Sequence, residues 1–191
     1  LLYGGSNRRM TKEYIDSVLD HFEAGDILVL QNEINCLDYV IDRAYEKQMT
    51  IILNPSPYDS GLDSCDLTKV SVFLINEVEG RQISGYAEPQ KILDVMREKF
   101  PASKIVLTLG GDGSVYADGE QQIRQPIYKV KAVDTTAAGD TFTGFFVAGL
   151  VKGFPMKEVL DLCAKAAAIA VSRKGAVASI PTMDEVLHTE L

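Results

Sequence analysis

No stretch of this 191-residue chain keeps up the roughly 18 consecutive apolar residues that a membrane-spanning helix needs. The opening Leu1-Leu2-Tyr3-Gly4-Gly5 lacks the basic start of a signal peptide. Positive charge is in the minority: 19 Lys and Arg stand against 27 Asp and Glu, a formal net charge of -8. A nucleic-acid surface needs clustered Lys and Arg to displace phosphate counterions, so that class of partner is excluded. A phosphate ligand is not excluded, because backbone N–H groups at a helix N-terminus hold an anion without a basic patch. Cysteine is scarce. Cys36, Cys65 and Cys163 lie far apart, without the close pairing of zinc sites or small disulfide frameworks, and are expected to be reduced and mostly buried. These absences together imply a cytoplasmic protein. There is also no initiator Met, and the apolar start runs into a Gly-Gly turn as if a strand had been cut partway, so an N-terminally truncated chain is expected.

The 46% hydrophobic content is enough for one substantial core. With no repeat, low-complexity tract or long linker, residues 1–191 are expected to form a single domain. Thr11 can cap a helix whose apolar positions Tyr14, Ile15, Val18, Leu19 and Phe22 follow helical spacing, ended by Gly25. A short apolar run at residues 26–31, a helical pattern at Leu37, Val40, Ile41 and Ala44, and a second run at 50–53 make a strand-helix-strand unit. The same grammar continues with a strand at 70–75, a helix from about Pro89 to Phe100, and a strand at 105–109. Runs apolar on both faces, joined by amphipathic helices, indicate an α/β fold with a mostly parallel sheet covered on each side. Alternating segments around Val115-Tyr116 and Ile127–Val130, separated by Asp118-Gly119, read as antiparallel strands. Two helices follow, about Ala138 to Lys152 and Met156 to Arg173, broken at Gly153-Phe154-Pro155.

The segment richest in chemistry is Ala132-Val133-Asp134-Thr135-Thr136-Ala137-Ala138-Gly139-Asp140-Thr141-Phe142. Small residues between two acids, just before an apolar helix, let a ligand approach the backbone and aim unpaired N–H groups at one point. An aspartate there is well placed to accept a proton from an attacking hydroxyl. The plainer alternative is that Asp134 or Asp140 caps the helix. No Gly-x-x-x-x-Gly-Lys-Ser/Thr segment occurs, which disfavours a P-loop enzyme.

The whole string resembles the second signature of the ribokinase family, the PfkB-type carbohydrate kinases. Asn54-Pro55-Ser56-Pro57, Asn76-Glu77-Val78-Glu79, Thr108-Leu109-Gly110-Gly111-Asp112-Gly113 and the stretch from Ala168 to Gly175 look like elements of that family in its order. The resemblance implies a three-layer α/β/α fold that transfers the γ-phosphoryl of ATP to a sugar hydroxyl. It implies Asp140 as base, contacting the sugar, with the N–H groups of Ala138 and Gly139 stabilising charge on the phosphoryl group. Asn76 and Glu79 then organise Mg²⁺ and the phosphates through water, although the same pair reads independently as a helix cap and a solvated charge. Thr108, Gly110 and Gly113 become nucleotide contacts, although Gly-Gly-Asp-Gly alone is equally a turn. Asp134, Thr136, Ala170, Arg173, Gly175 and Ser179 fall where the family surrounds a monovalent cation, K⁺, with Arg173 contributing only its main chain. Glu33 looks like the acid that hydrogen-bonds sugar hydroxyls; otherwise it is an exposed strand-end acid.

The forms of these segments look closest to the family members that act on ribose. Fructokinase, ketodeoxygluconate kinase and nucleoside kinase share the Gly-Asp segment, and a non-catalytic nucleotide-binding module is the alternative from another class. The family's N-terminal strands, lid and glycine-rich sugar motif have no counterpart here. The resemblance therefore implies about the last two thirds of an enzyme that dimerises through the lid, and a piece that does not phosphorylate sugar by itself.

Overall fold

The computed structural model describes residues 3–191 and divides into two compact units. The first comprises residues up to Thr108 together with 117–122; the second comprises 109–116 and 123–191. The Leu1-Leu2 start of the proposed cut strand lies outside the described residues.

In the first unit, β1 (Ile27–Gln31), β2 (Thr50–Asn54), β3 (Val72–Asn76) and β4 (Lys104–Thr108) lie side by side in that order, all parallel. The register pairs Gln31 with Asn54 and Asn76 with Thr108, so the strands end together along one edge. Ile51, Ile52, Leu53, Phe73, Ile105, Val106 and Leu107 have no exposed surface, as continuous apolar runs require when both faces of a sheet are covered. β1 departs from this: Val29 in its middle is 43% exposed and Leu30 alone is buried, so the strand is not covered on both faces.

The helices follow their apolar stripes. Leu37, Val40, Ile41 and Ala44 of α2 (Leu37–Glu46) are all buried, and so are Ile92, Leu93 and Met96 of α4 (Pro89–Lys99). Thr11 caps α1 (Lys12–Leu19), its hydroxyl accepting the Tyr14 N–H at 3.2 Å. The five-residue stripe expected for α1 is corrected, because only Ile15 and Leu19 are buried while Tyr14, Val18 and Phe22 are exposed. An i, i+4 pair presents a narrower face than the spacing suggested. The helix also stops at Leu19, and single-turn hydrogen bonds carry the chain on towards Gly25. A helix that periodicity did not mark off, α3 (Glu77–Ser84), starts directly at the end of β3.

Outside the parallel strands, β5 (Ser114–Ala117) and β6 (Gln122–Gln125) are joined by a turn in which the Asp118 carboxylate accepts the N–H groups of Glu120 and Gln121, each at 2.8 Å. The strand expected at Ile127–Val130 does not form. Pro126 has no N–H to donate, and the Tyr128 hydroxyl instead donates to Asp161 Oδ1 at 2.9 Å, beside a Gln125 amide on the same oxygen at 3.1 Å.

The second unit is dominated by α5 (Ala138–Val151) packed on α6 (Met156–Val171). Gly149 permits the close approach, since a Cβ there would lie 3.0 Å from both Val159 methyls. Phe146, Val159, Leu160, Cys163, Ala166 and Ala170 are fully buried in this layer. A short closing helix, α7 (Met183–His188), was not expected from periodicity. The cysteines are free, but only Cys163 is buried; Cys36 and Cys65 are half-buried, which corrects the expectation of general burial. Burial pushes the Cys65 thiol up to about 11 and the Cys163 thiol higher, so neither is thiolate at neutral pH.

Candidate active site

The parallel strands of the first unit present their carboxyl ends together, where open sheets of this kind bind ligands. Asn54, Asn76 and Thr108 are the last residues of β2, β3 and β4, and Glu33 lies two residues beyond β1, exposed. Between Glu33 and the strand sits Asn32, which sequence reasoning missed. It is 6% exposed; its side-chain amide donates to the Pro57 carbonyl at 2.7 Å and to Asp59 Oδ1 at 3.0 Å. Its backbone N–H donates to the Ser56 carbonyl at 3.1 Å. Asn32 thus ties the turn carrying Glu33 to the segment that follows β2. The Asn32 amide, followed by the Gly61 N–H, holds the Asp59 carboxyl below the usual carboxylate range. Nothing local distinguishes Asn32 from a solvated turn residue; only the fold brings residues 56–59 against it.

Asn76 and Glu79 form a reciprocal capping box at the start of α3. Asn76 Oδ1 accepts the N–H groups of Val78 at 2.9 Å and Glu79 at 3.0 Å. In return Glu79 Oε2 accepts the Asn76 backbone N–H at 2.9 Å and Oε1 its side-chain amide at 3.0 Å. Glu79 is buried, 5% exposed, with both oxygens engaged, while Asn76 is exposed. The cap reading is therefore realised at Asn76, while Glu79, expected otherwise as a solvated charge, is corrected to a buried member of the box. It fits Mg²⁺ only through water, because a direct bond from Glu79 would have to break the box. Among the described residues no group of three or more His, Cys, Asp and Glu gathers as a metal cage.

In the second unit, Gly110-Gly111-Asp112 makes one tight turn, closed by the Leu109 N–H donating to the Gly113 carbonyl at 2.8 Å. Gly113 sits at φ +90°, and a Cβ there would lie 2.1 Å from the Gln125 carbonyl oxygen. The protein's own backbone thus requires this glycine, independently of any ligand. Gly110, at φ +52°, has open space beside it.

The loop leading into α5 is tied to the end of α6. The Val171 carbonyl accepts the N–H groups of Val133 at 2.7 Å and Asp134 at 3.2 Å. Asp134 Oδ1 accepts the Thr136 N–H at 2.9 Å, and Oδ2 accepts the Gly175 N–H at 3.0 Å. Thr136 and then Gly175 hold the Asp134 carboxyl below its ordinary value. Asp134 is therefore a crosslink between two loops and not a helix cap. Asp140 is not the cap either: it is the third residue of α5 and exposed. The cap position falls to Ala137, which is held in the left-handed region at φ 62° and offers no side-chain acceptor to the first turn. A non-glycine residue in that region costs on the order of 1–2 kcal/mol, which the surrounding crosslinks offset.

Of the six residues expected around a monovalent cation, Asp134 and Thr136 fall on the loop entering α5, Arg173, Gly175 and Ser179 on the segment after α6, and Ala170 in the last turn of α6 itself. Ala170 carries a carbonyl that accepts the Arg173 N–H at 3.1 Å, and Ser179, fully buried, donates its hydroxyl to the Ala176 carbonyl at 2.7 Å. One carboxylate among carbonyl and hydroxyl oxygens is an all-oxygen donor set of low charge, which fits K⁺ better than a divalent ion. Arg173, expected to contribute only its main chain, also forks its guanidinium onto the Glu185 carboxylate of α7, its Nη1 at 3.3 Å from Oε2.

Three comparisons bear on this geometry. The ribokinase of Schizosaccharomyces pombe is 33% identical over 198 residues, covering 97% of this chain and 61% of that protein. A deoxyribokinase of Salmonella typhi is 26% identical, covering 97% and 62% respectively. The structure of Arabidopsis thaliana ribokinase complexed with ribose and ATP superposes with a TM-score of 0.81 at 27% identity, covering 98% of this chain and 63% of that one. The chain thus spans about three fifths of the length of these relatives. No helix among the described residues is long and apolar enough to cross a membrane. The model of the pfkB family carbohydrate kinases matches residues 1–183, and with the parallel strand edge and the Asp134–Asp140 loop in place, the chain belongs to that family.

Proposed function

We propose that the intact protein is an ATP-dependent kinase acting on the primary hydroxyl of D-ribose. The observation that carries this reading is the position of Asp140, exposed in the first turn of α5, behind an N-cap residue that offers no side chain, on a loop crosslinked through Asp134. Its carboxylate takes the proton of the attacking hydroxyl as the new O–P bond forms. The bond from the γ-phosphorus to its bridging oxygen breaks, and ADP leaves. The Ala138 and Gly139 N–H groups stabilise charge on the transferred group, a role suited to a helix start without a side-chain cap.

Glu33 holds sugar hydroxyls, and Thr108, Gly110 and Gly113 line the path of the nucleotide. Asn76 and Glu79 order hydrated Mg²⁺, which when bound neutralises phosphate charge. K⁺ belongs to the oxygens of Asp134, Thr136, Ala170, Arg173, Gly175 and Ser179. Residues 1–191 are read as a single catalytic domain, and the intact protein as a cytoplasmic homodimer.

A second reading, 2-deoxyribose as acceptor, is favoured by the deoxyribokinase relative. The test is kcat/KM of the intact protein for ribose, 2-deoxyribose, fructose, 2-keto-3-deoxygluconate and a purine nucleoside. Ribose should lead by at least about ten-fold, because a site built around a hydroxyl loses on the order of 1–3 kcal/mol when that partner is missing. Equal values for ribose and 2-deoxyribose would remove the ribose assignment and leave the kinase reading standing.

A further inference from the structure

The fork between Arg173 and Glu185 sits where a surface ion pair would ordinarily contribute little. The two side chains are 36% and 37% exposed. Their consequence lies in what they enclose. The pair joins Arg173, two residues past the end of α6, to α7, closing the loop that carries Gly175 and Ser179. α7 is itself fixed: Val186 is fully buried, and the Thr182 hydroxyl accepts the Glu185 N–H at 3.2 Å. The Glu185 carbonyl further accepts the Thr189 hydroxyl at 2.7 Å. Thr182 and Glu185 have capping-box spacing, yet the Glu185 carboxylate turns to Arg173.

We infer that Arg173 and Glu185 are positioning residues which clamp the 173–179 loop so that the Gly175 N–H meets Asp134. Three links then run in series. Glu185 holds Arg173, Gly175 at φ +100° holds Asp134, and Asp134 holds the Thr136 N–H on the loop that enters α5. The guanidinium fork gives geometry that a lysine could not, because two parallel contacts fix its plane. The same loop supplies Arg173, Gly175 and Ser179 to the cation set, so this inference rests on the K⁺ reading for its effect on activity. Loosening the clamp should weaken cation binding without touching the groups that react.

The test compares the intact protein with Glu185→Gln, Glu185→Asp and the reversed pair Arg173→Glu/Glu185→Arg. The K⁺ concentration giving half-maximal activation should rise about two- to five-fold in Glu185→Gln, the range of a well-oriented exposed pair. It should return towards the parental value in the reversed pair and, in part, in Glu185→Asp, with kcat at saturating K⁺ unchanged in the two Glu185 single variants. Amide exchange at Gly175 and Thr136 in K⁺-free buffer should speed up in Glu185→Gln, a readout that needs no cation. Unchanged exchange and an unchanged K⁺ midpoint would overturn the clamp. If K⁺, Na⁺ and a bulky organic cation support equal rates in the parent, the K⁺ reading fails. The exchange data then decide the clamp alone: faster exchange supports it, parental exchange overturns it.

Discussion

Asp140→Asn in the intact protein should lower kcat by at least about 100-fold while leaving the affinity for ATP within about two-fold of the parent. The substitution keeps shape and polarity and removes the ability to accept a proton. That ability is needed only as the hydroxyl attacks, so the loss belongs to the transition state and not to nucleotide binding. Asp140 is exposed and is not the N-cap residue of α5, and Asn keeps its size and a carbonyl acceptor, so the fold should survive the change. Steady-state turnover beside equilibrium ATP binding makes the separation. A variant that keeps near-parental kcat would remove Asp140 as the base, and one that loses ATP binding and turnover together would point to a structural role.

Gly113→Ala should destabilise the protein by about 3 kcal/mol or more, lowering Tm by about 6–12 °C for a chain of this size. Two independent penalties act. The backbone stands at φ +90° and ψ -137°, a region that L side chains rarely adopt. The new Cβ would also fall 2.1 Å from the Gln125 carbonyl oxygen and 3.0 Å from Pro126 Cα. Both obstacles are backbone, so no side chain can swing aside, and the Leu109–Gly113 hydrogen bond would break as the turn moved. Gly110→Ala is the control: at φ +52° with nothing within 4 Å, it should cost only about 1 kcal/mol. Melting temperatures of the two variants within a degree of each other would contradict this account.

The glycines also show where sequence reading stops. A Gly-rich turn after a strand is legible as a turn, but spacing cannot say whether ligand or protein occupies the missing Cβ position. At Gly113 it is the protein's own strand. The parallel strands were legible because each is a continuous apolar run, and so were α2 and α4, whose stripes are regular. α7 escaped because six residues carry too few turns for a period to appear, although Pro181, Thr182 and Glu185 held a start signal. The strand expected at Ile127–Val130 had the right alternation, and Pro126 with the Tyr128–Asp161 bond overrode it.

Within the candidate site, the Asp134-to-Asp140 segment was legible as a run of small residues entering a helix because that signal is contiguous, whereas its ties to Val171 and Gly175 were not. Asn32 and the Arg173 side chain were not, because each acts on a partner far along the chain: Pro57 and Asp59 for one, Glu185 for the other. Asn76 was legible as a helix cap, but Glu79, read alone as a solvated charge, is buried and turns back to complete a capping box, which local sequence did not reveal. A motif of this kind positions polar groups at a strand end whether or not a ligand uses them.

The most direct test of the sugar-kinase reading is to incubate the intact protein with Mg²⁺-ATP and ribose and follow the products by ³¹P NMR. The account predicts a phosphomonoester resonance coupled to the ribose C5 protons, growing one-for-one with ADP and absent when ribose is left out. ATP hydrolysis that does not depend on sugar, or ATP binding with no transfer to any sugar offered, would contradict it.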